Sequence, residues 1–324
     1  MMAQGETEAR RCLVLSDGRR GIENQALGLA ESCAAIHPLN VQTHHITHGK
    51  TLAALPPKAQ LRLAKFDLPY CDIAVGCGRQ AIAALMHLKQ TRPHVFTVYV
   101  QDPRMGPEAF DLVIAPEHDA VRGSNVETMI GSPNRITDTN IIGETLSYAA
   151  GLSKFPMPRT TILIGGASKT HKLDKASHAA HLKAAKDLCA AGKSVLITTS
   201  RRTPNFAVLD WKRFASDHDY VWFHDGHGPN PYLAFLGGAD TILVTEDSTN
   251  MLTEACAMGK PVYRLPMSGP AGKFQTLYDA LEKRCGVRPY EGQVEGPAYP
   301  ALRETARMAQ KVWDRFDRKV LKSA

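Results

Sequence analysis

A chain of 324 residues is long for one core and suits two domains, either of which can bury a sizeable interior. Its 44% hydrophobic and 22% charged residues are ordinary for a globular protein, and no apolar run approaches the ~20 residues that span a bilayer, which excludes a transmembrane chain. The net charge of +7 would serve phosphates, nucleic acid or an anionic membrane. Nucleic acid is set aside, because no strand alternates aromatic with basic residues and no zinc-finger or helix-turn-helix signature appears.

Residues 1–11 are polar, and the apolar stretch 12–15 is too short for a signal peptide, so a cytoplasmic location is expected. Short β-rich apolar runs then alternate with amphipathic ones, the pattern of parallel sheets with crossover helices. Strands are expected at 12–16, 41–46, 72–75, 95–100 and 111–114, with helices at 24–36 and 80–89. Gly151, Pro156 and Pro158 interrupt regular structure and mark a domain linker. Strands resume at 160–164, 194–198, 220–223, 241–244 and 261–265, separated by helices at 175–191, 206–216, 250–258 and 273–285. The fold class is therefore α/β, two Rossmann-like domains facing across a cleft. Residues 1–150 form the first, 160–298 the second, and 299–324 an amphipathic helix packing on the body.

That last helix places Leu302, Ala306, Ala309, Trp313, Phe316 and Val320 on one seam. From 301 onward seven basic residues face three acidic ones, a net +4. A solvated face is the plainer reading of this charge, with peripheral contact to an anionic inner-membrane surface as the alternative. The seven cysteines, without a C-x-x-C pair, suit buried thiols.

Ligands of doubly wound sheets bind beyond the carboxyl ends of the strands. There the first half carries Ser16-Asp-Gly-Arg-Arg-Gly-Ile-Glu-Asn-Gln25, with Gly18 and Gly21 permitting a tight loop before a helix that opens on Glu23 and Asn24. Gly76-Cys-Gly-Arg79, Gln101-Asp-Pro-Arg104 and Pro116-Glu-His-Asp119 leave the same edge. In the second half Gly165-Gly166 and Ser200-Arg-Arg-Thr203 offer backbone N–H groups and cations to phosphate oxygens. Arg79, Arg104, Arg201 and Arg202 are expected to converge on a ligand of about two negative charges.

The segment from Thr245 to Val262 is the most informative. Asp247 or Ser248 caps a helix that Gly259 and Pro261 end, leaving free N–H groups suited to a diphosphate. Asp247, Thr249, Asn250 and Glu254 follow, with Asp247, Asn250 and Glu254 on one face. Glu254 lies about 9 Å below the cap, a reach that suits ribose hydroxyls. A solvated glutamate is the alternative, but Met251, Ala255 and Cys256 around Glu254 imply partial burial.

Together, Ser16-Asp-Gly18, Glu23-Asn-Gln25, Cys77-Gly-Arg79, Asp102-Pro-Arg104, Ser200-Arg-Arg-Thr-Pro204, Pro229-Asn-Pro231 and the block from Asp247 to Tyr263 resemble the mitochondrial-fission "elongated mitochondria" family of plants and alphaproteobacteria. Plant members are linked to mitochondrial division, and bacterial ones have been labelled nucleotide-sugar epimerases. The second-half block also resembles the donor site of GT-B glycosyltransferases. That resemblance implies Glu254 on the ribose, Asp247 to Asn250 on the diphosphate and Ser200 to Thr203 on the phosphates or base. Glu246 and Glu254 have the spacing of the paired glutamates in many retaining members.

A metal-independent glycosyltransferase is thus expected, with a nucleotide-sugar as donor, a lipid-linked or envelope acceptor and no separate cofactor. Glu23 is the expected base, with Asp102 and Asp119 as competitors. A non-catalytic nucleotide-binding adaptor or an epimerase is the alternative. A dehydrogenase is disfavoured, since the first loop is not G-x-G-x-x-G. His44, His45 and His48, and likewise His178 and His181, read as surface histidines rather than a metal site, and Asp217-His-Asp219 as a surface turn.

Overall fold

The computed structural model describes residues 9–47, 49–294 and 296–323. His48 and the residues before Ala9, on which the signal-peptide reading rests, lie outside that set. The chain forms two compact units, Met1–Arg135 with Arg303–Ala324, and Ile136–Leu302.

In the first unit, β1 (Arg10–Ser16), α1 (Arg20–Ala34) and β2 (Leu39–His45) are followed by the short helices α2 (Lys50–Ala54) and α3 (Pro57–Leu63). β3 (Ile73–Cys77), α4 (Arg79–Thr91), β4 (Phe96–Val100), β5 (Leu112–Pro116) and β6 (Val126–Met129) complete its sheet, all parallel, in the order β2-β1-β3-β4-β5-β6. The central strands are unbroken apolar runs because both faces are covered. Alternation divides them: Val14, Val75, Val98 and Ile114 pack under α1, while Leu13, Leu15, Ala74 and Val113 pack under α4.

The second unit opens with α5 (Asp138–Ser147) and α6 (Ala149–Leu152). β7 (Arg159–Ile164), α7 (Lys175–Ala190), β8 (Ser194–Thr199), α8 (Asn205–Ser216), β9 (Val221–His224) and α9 (Tyr232–Gly238) follow. The chain continues through β10 (Thr241–Thr245), α10 (Thr249–Cys256), β11 (Val262–Leu265), α11 (Phe274–Cys285) and β12 (Arg288–Pro289). Its parallel sheet runs β12-β11-β10-β7-β8-β9, the doubly wound order in which the first strand lies at the centre. Ile162, Val195, Ile197 and Leu243 pack on one face with Trp211 and Phe214 of α8. Leu196 on the other face meets Phe235 of α9 and Leu152 of α6.

The unit boundary falls earlier than the linker expected at 151–159. Thr137 caps α5 by accepting from the Asn140 N–H at 3.1 Å. Gly237 of α9 lets α5 approach so closely that a Cβ there would lie 2.0 Å from Thr145 Oγ1. Beyond α6, the Arg159 side chain donates to the Phe155 and Leu152 carbonyls at 2.6 and 3.0 Å. Pro156 and Pro158 therefore shape a turn inside the second unit.

The last helix, α12 (Glu304–Ser323), belongs to the first unit, beside α1. Met308, Ala309, Val312, Trp313 and Phe316 are buried, and Trp313 Nε1 donates to the Cys33 carbonyl at 3.0 Å. The expected seam is rotated, for Ala306 and Val320 are exposed and Met308 and Val312 take their place. All seven cysteines are free thiols, and every one but the half-buried Cys189 is buried. Among the described residues no helix is long and apolar enough to cross a membrane.

Candidate functional site

In each sheet the chain leaves the first strand in one direction and later returns to its other side, and the strand ends flanking that switch are where a crevice forms. In the second unit the switch lies between β7 and β10, whose exits are Gly165-Gly166 and Glu246-Asp247. In the first it lies between β1 and β3, which exit into Asp17–Arg19 and Gly78-Arg79.

At the second switch the polar groups are interlocked. The Asp247 carboxylate is wholly enclosed; it accepts from the Gly166 N–H at 3.0 Å and the Thr245 hydroxyl at 2.7 Å, and pairs with Arg202 Nη2 at 2.7 Å. Arg202 also donates to the Ala167 carbonyl at 3.0 Å. The Thr203 hydroxyl lies 2.5 Å from the Gly165 carbonyl, which it reaches as donor, and accepts from the Ser200 N–H at 3.0 Å. A Cβ on Gly165 would sit 2.0 Å from Asp247 Oδ1, and one on Gly166 2.0 Å from the Arg202 carbonyl, so only glycine lets these loops close. Of the two expected caps it is Ser248 that serves, its hydroxyl accepting from the Met251 N–H at 3.4 Å; Asp247 faces the loops instead. Thr249 and Asn250 form the first turn of α10, and Arg201 is exposed on the β8–α8 loop.

One turn further along α10, Glu254 accepts a short hydrogen bond from the Tyr232 hydroxyl at the start of α9. Burial pushes its carboxyl up to about 7, against the lowering effect of that hydrogen bond. Glu246 points elsewhere: it pairs with Arg264 Nη1 at 2.5 Å and accepts from the Met267 N–H at 3.2 Å. The paired-glutamate spacing therefore does not bring two free carboxylates together.

The first switch opens on a cavity of about 600 Å³ bounded by Arg19, Gly78, Arg79, Asp102 and Arg104. Gly18 holds the exit of β1 at φ +77, and Asp17 holds Arg19 at 2.6 Å. Arg79 Nη2 donates to the Ala54 and Leu55 carbonyls at 2.7 and 2.8 Å. Asp102 Oδ1 accepts from the Arg104 N–H at 2.7 Å, closing a tight turn in which Gln101 and Arg104 take φ of +90 and +53. Such backbone costs about 1–3 kcal/mol per residue and collects at functional sites.

Helix α1 begins at Arg20 rather than Asn24, so Gly21, Glu23 and Asn24 lie in its first turns and not in a loop. The Ser16 hydroxyl and the His45 ring, 2.8 Å away, hold the Glu23 carboxyl below the ordinary glutamate range despite some burial. Asp119 occupies a 3-10 turn after β5, 3.9 Å from His118. Asp102 alone of the three candidate carboxylates lines the cavity. Arg79 and Arg104 share that wall, while Arg201 and Arg202 belong to the second unit's β8–α8 loop.

His178 and His181 are not surface residues. Both are buried on the inner face of α7, His178 edge-on to Trp211 and 3.2 Å from Asp210, His181 2.8 Å from the Pro266 carbonyl. Burial lowers the His181 ring to about 4. Tyr232 is the partner that the sequence reading did not single out, while His45, read there as a surface histidine, is the partner of Glu23. Tyr232 follows Pro229-Asn-Pro231, and the Asn230 side chain accepts its N–H at 3.1 Å, so the turn before α9 was the available signal.

The family model described as Mitochondrial fission ELM1 matches residues 20–316. The mitochondrial fission protein ELM1 of Arabidopsis thaliana is 26% identical over 267 residues, covering 74% of this chain and 62% of that protein. The chain thus matches less than two thirds of the plant relative's length. An uncharacterized protein of Rickettsia prowazekii (strain Madrid E) is 24% identical over 362 residues, covering 96% of this chain and 99% of its own. Among solved structures, UDP-GlcNAc 2-epimerase of Neisseria meningitidis bound to UDP-GlcNAc superposes with a TM-score of 0.53 at 11% identity, over 94% of this chain and 100% of that one. The Methanocaldococcus jannaschii UDP-GlcNAc 2-epimerase gives 0.52 at 11% identity, over 94% and 99%. The Escherichia coli ADP-heptose lipopolysaccharide heptosyltransferase II gives 0.50 at 12% identity, over 97% and 99%. At such identity the likeness is one of fold, and the fold is GT-B.

Proposed function

This chain belongs to the mitochondrial fission ELM1 family, and from that premise we propose that it binds a nucleoside-diphosphate sugar in its second unit and transfers the sugar to a hydroxyl acceptor. The observation that carries the reading is the second switch point, where the glycine loops, the first turn of α10 and the β8–α8 arginines adjoin β7 and β10. The N-terminal N–H groups of α10 and the exposed Arg201 suit a diphosphate. Glu254, once ionised, suits two ribose hydroxyls. Asp247 acts through its neighbours: enclosed as it is, it positions Arg202 and the Gly166 backbone. The UDP-GlcNAc held by the Neisseria epimerase and the ADP-heptose named for the heptosyltransferase are the ligand class that this fold accommodates elsewhere.

In the transfer step an acceptor oxygen bonds to the anomeric carbon as the bond from that carbon to the diphosphate oxygen breaks. The acceptor proton passes to a carboxylate base, and the diphosphate leaves with its charge stabilised at α10. The base comes from Glu23, Asp102 or Asp119; Asp102 is favoured because it lines the first unit's cavity, whereas Ser16 and His45 occupy Glu23.

Titration calorimetry of the whole chain with UDP and ADP tests the donor site. Saturable binding that Glu254→Gln weakens supports it; no binding of either nucleotide overturns it. A non-catalytic nucleotide-binding protein is the second reading, favoured by the closure of Glu254 onto the Tyr232 hydroxyl, which occupies the carboxylate. Incubation with a nucleotide-sugar panel separates the readings: release of nucleoside diphosphate marks transfer or hydrolysis, an epimeric sugar marks epimerisation, and an unchanged donor marks the second reading.

A further inference from the structure

The cavity of the first unit has walls that say what kind of ligand it takes. At about 600 Å³ it falls within the ~300–1,000 Å³ usual for small-molecule sites. Arg19, Lys58, Arg79 and Arg104 line it, with Asp102 as the carboxylate among them. Asp17 neutralises Arg19. Among the described residues the Lys58 and Arg104 side chains meet no protein acceptor, and Arg79 commits one nitrogen to the Ala54 and Leu55 carbonyls, which fixes its guanidinium and leaves the rest of the fork. Lys58, Arg79 and Arg104 against Asp102 leave two uncompensated positive charges on one rim.

Apart from Gln101, whose side-chain amide donates to Gln25 at 3.0 Å, the remainder of the wall is apolar, formed by Ile22, Ile82, Tyr99 and Met105 with Pro56 and Pro103. Tyr99 offers no stacking platform for a base, because it lies flat on Phe110 at 5.0 Å and is buried. Two surplus positive charges on an apolar-walled cavity match a compact dianion attached to a ring or chain. A phosphomonoester, which carries about −1.5 to −2 charges at pH 7 and three acceptor oxygens, is such a group.

We propose that the first unit's cavity binds a phosphomonoester, with Lys58, Arg79 and Arg104 on its oxygens and the apolar wall against the carbon skeleton that bears it. As the acceptor of the transfer this ligand depends on the function proposed above; as a binding site it does not, since every lining residue lies in the first unit. The group has two sources, a soluble sugar phosphate or the headgroup of a phosphorylated lipid.

The test is calorimetry of the full chain with glucose 6-phosphate, with glucose as the neutral control, and sedimentation with vesicles of phosphatidylcholine alone or with phosphatidic acid. Glucose 6-phosphate or phosphatidic acid binds while its neutral counterpart does not, and Lys58→Gln with Arg104→Gln weakens that binding about tenfold or more. An unaltered melting temperature shows that the double variant is folded. Binding of the sugar phosphate alone assigns a soluble ligand, and of phosphatidic acid alone a lipid. No preference for either phosphate, or a preference that the double variant keeps in full, overturns the proposal. UDP binding is measured on the same samples and fails independently: a chain that takes the phosphate probe but no nucleotide keeps this site and loses the donor site.

Discussion

Tyr232, at the first residue of α9, donates its hydroxyl hydrogen to Glu254, in the middle of α10, so that one phenol holds the carboxyl group suited to a ribose. Burial places that carboxyl near 7 instead of the ordinary 4.5. Between those values the folded chain keeps a proton that the unfolded chain has released, so this group's contribution to stability is greatest below pH 4.5 and falls as pH rises to 7. Glu254→Gln removes the dependence: its melting temperature relative to the parent should climb across that window. A constant offset between the two would show that Glu254 titrates normally.

Ligand binding should have the opposite trend. If ionised Glu254 accepts the ribose hydroxyls, UDP affinity in the parent should be about tenfold weaker at pH 6 than at pH 8, as expected of a carboxyl titrating near 7. Glu254→Gln should lose this step, and a step that persists in it belongs to the phosphate or to another residue.

Asp247 is enclosed and held by Arg202, Thr245 and the Gly166 N–H. Arg202→Ala leaves a buried carboxylate with only its neutral donors, and should cost about 1–3 kcal/mol in urea unfolding. Arg202→Ala with Asp247→Asn should recover part of that loss. A double variant as unstable as the sum of the singles would mean that the pair is not coupled.

For the chemical step, Asp102→Asn should lower turnover by about 10²–10⁴-fold while leaving UDP affinity intact. Glu23→Gln should have the smaller effect, because its carboxyl is held ionised by Ser16 and His45 and is a poor proton acceptor. The reverse order of effects would return the role to Glu23.

Three of the seven basic residues at the α12 end are consumed within the protein. Arg315 pairs with Glu127 at 2.8 Å, Lys319 with Asp111 at 2.9 Å and Arg307 with Glu304 at 2.6 Å. Charge reversal at Arg318 and Lys322, both exposed, should therefore change binding to anionic vesicles less than twofold. Trp313→Ala should instead destabilise the first unit by about 3–5 kcal/mol. Strong vesicle binding lost on Arg318 and Lys322 reversal would restore the membrane reading.

The central strands were legible because each carries a continuous buried run, the half-buried edge strands β2 and β9 by their β-rich composition, and the principal crossover helices because their apolar residues recur on one face. β6 was not, since Val126-Glu-Thr-Met129 is a short edge strand whose Glu127 serves Arg315 from another part of the chain. Helices α2 and α3 are five and seven residues long around Pro56 and Pro57, too short to show a period. Glu254 could be singled out by helical spacing, but its partner Tyr232 sits 22 positions earlier in sequence. Asp247 was expected to face a ligand because a cap and a buried anchor have the same local sequence; only the approach of Gly166 and Arg202 distinguishes them.

Helix α12 completes the core of the unit that contains β1, although the whole of the second unit lies between them in the chain. On a ribosome the first sheet is made early, yet Trp313 and Phe316 emerge only after the second unit has been synthesised. Until then, the α1 side of that sheet lacks its outer cover. Domains generally fold as units during synthesis, so the order here is inverted: the second unit can finish first, and the first must wait with apolar surface exposed. A chain interrupted before α12 would thus carry one finished domain and one open one, which makes the arrival of α12 a check on the sheet begun by β1.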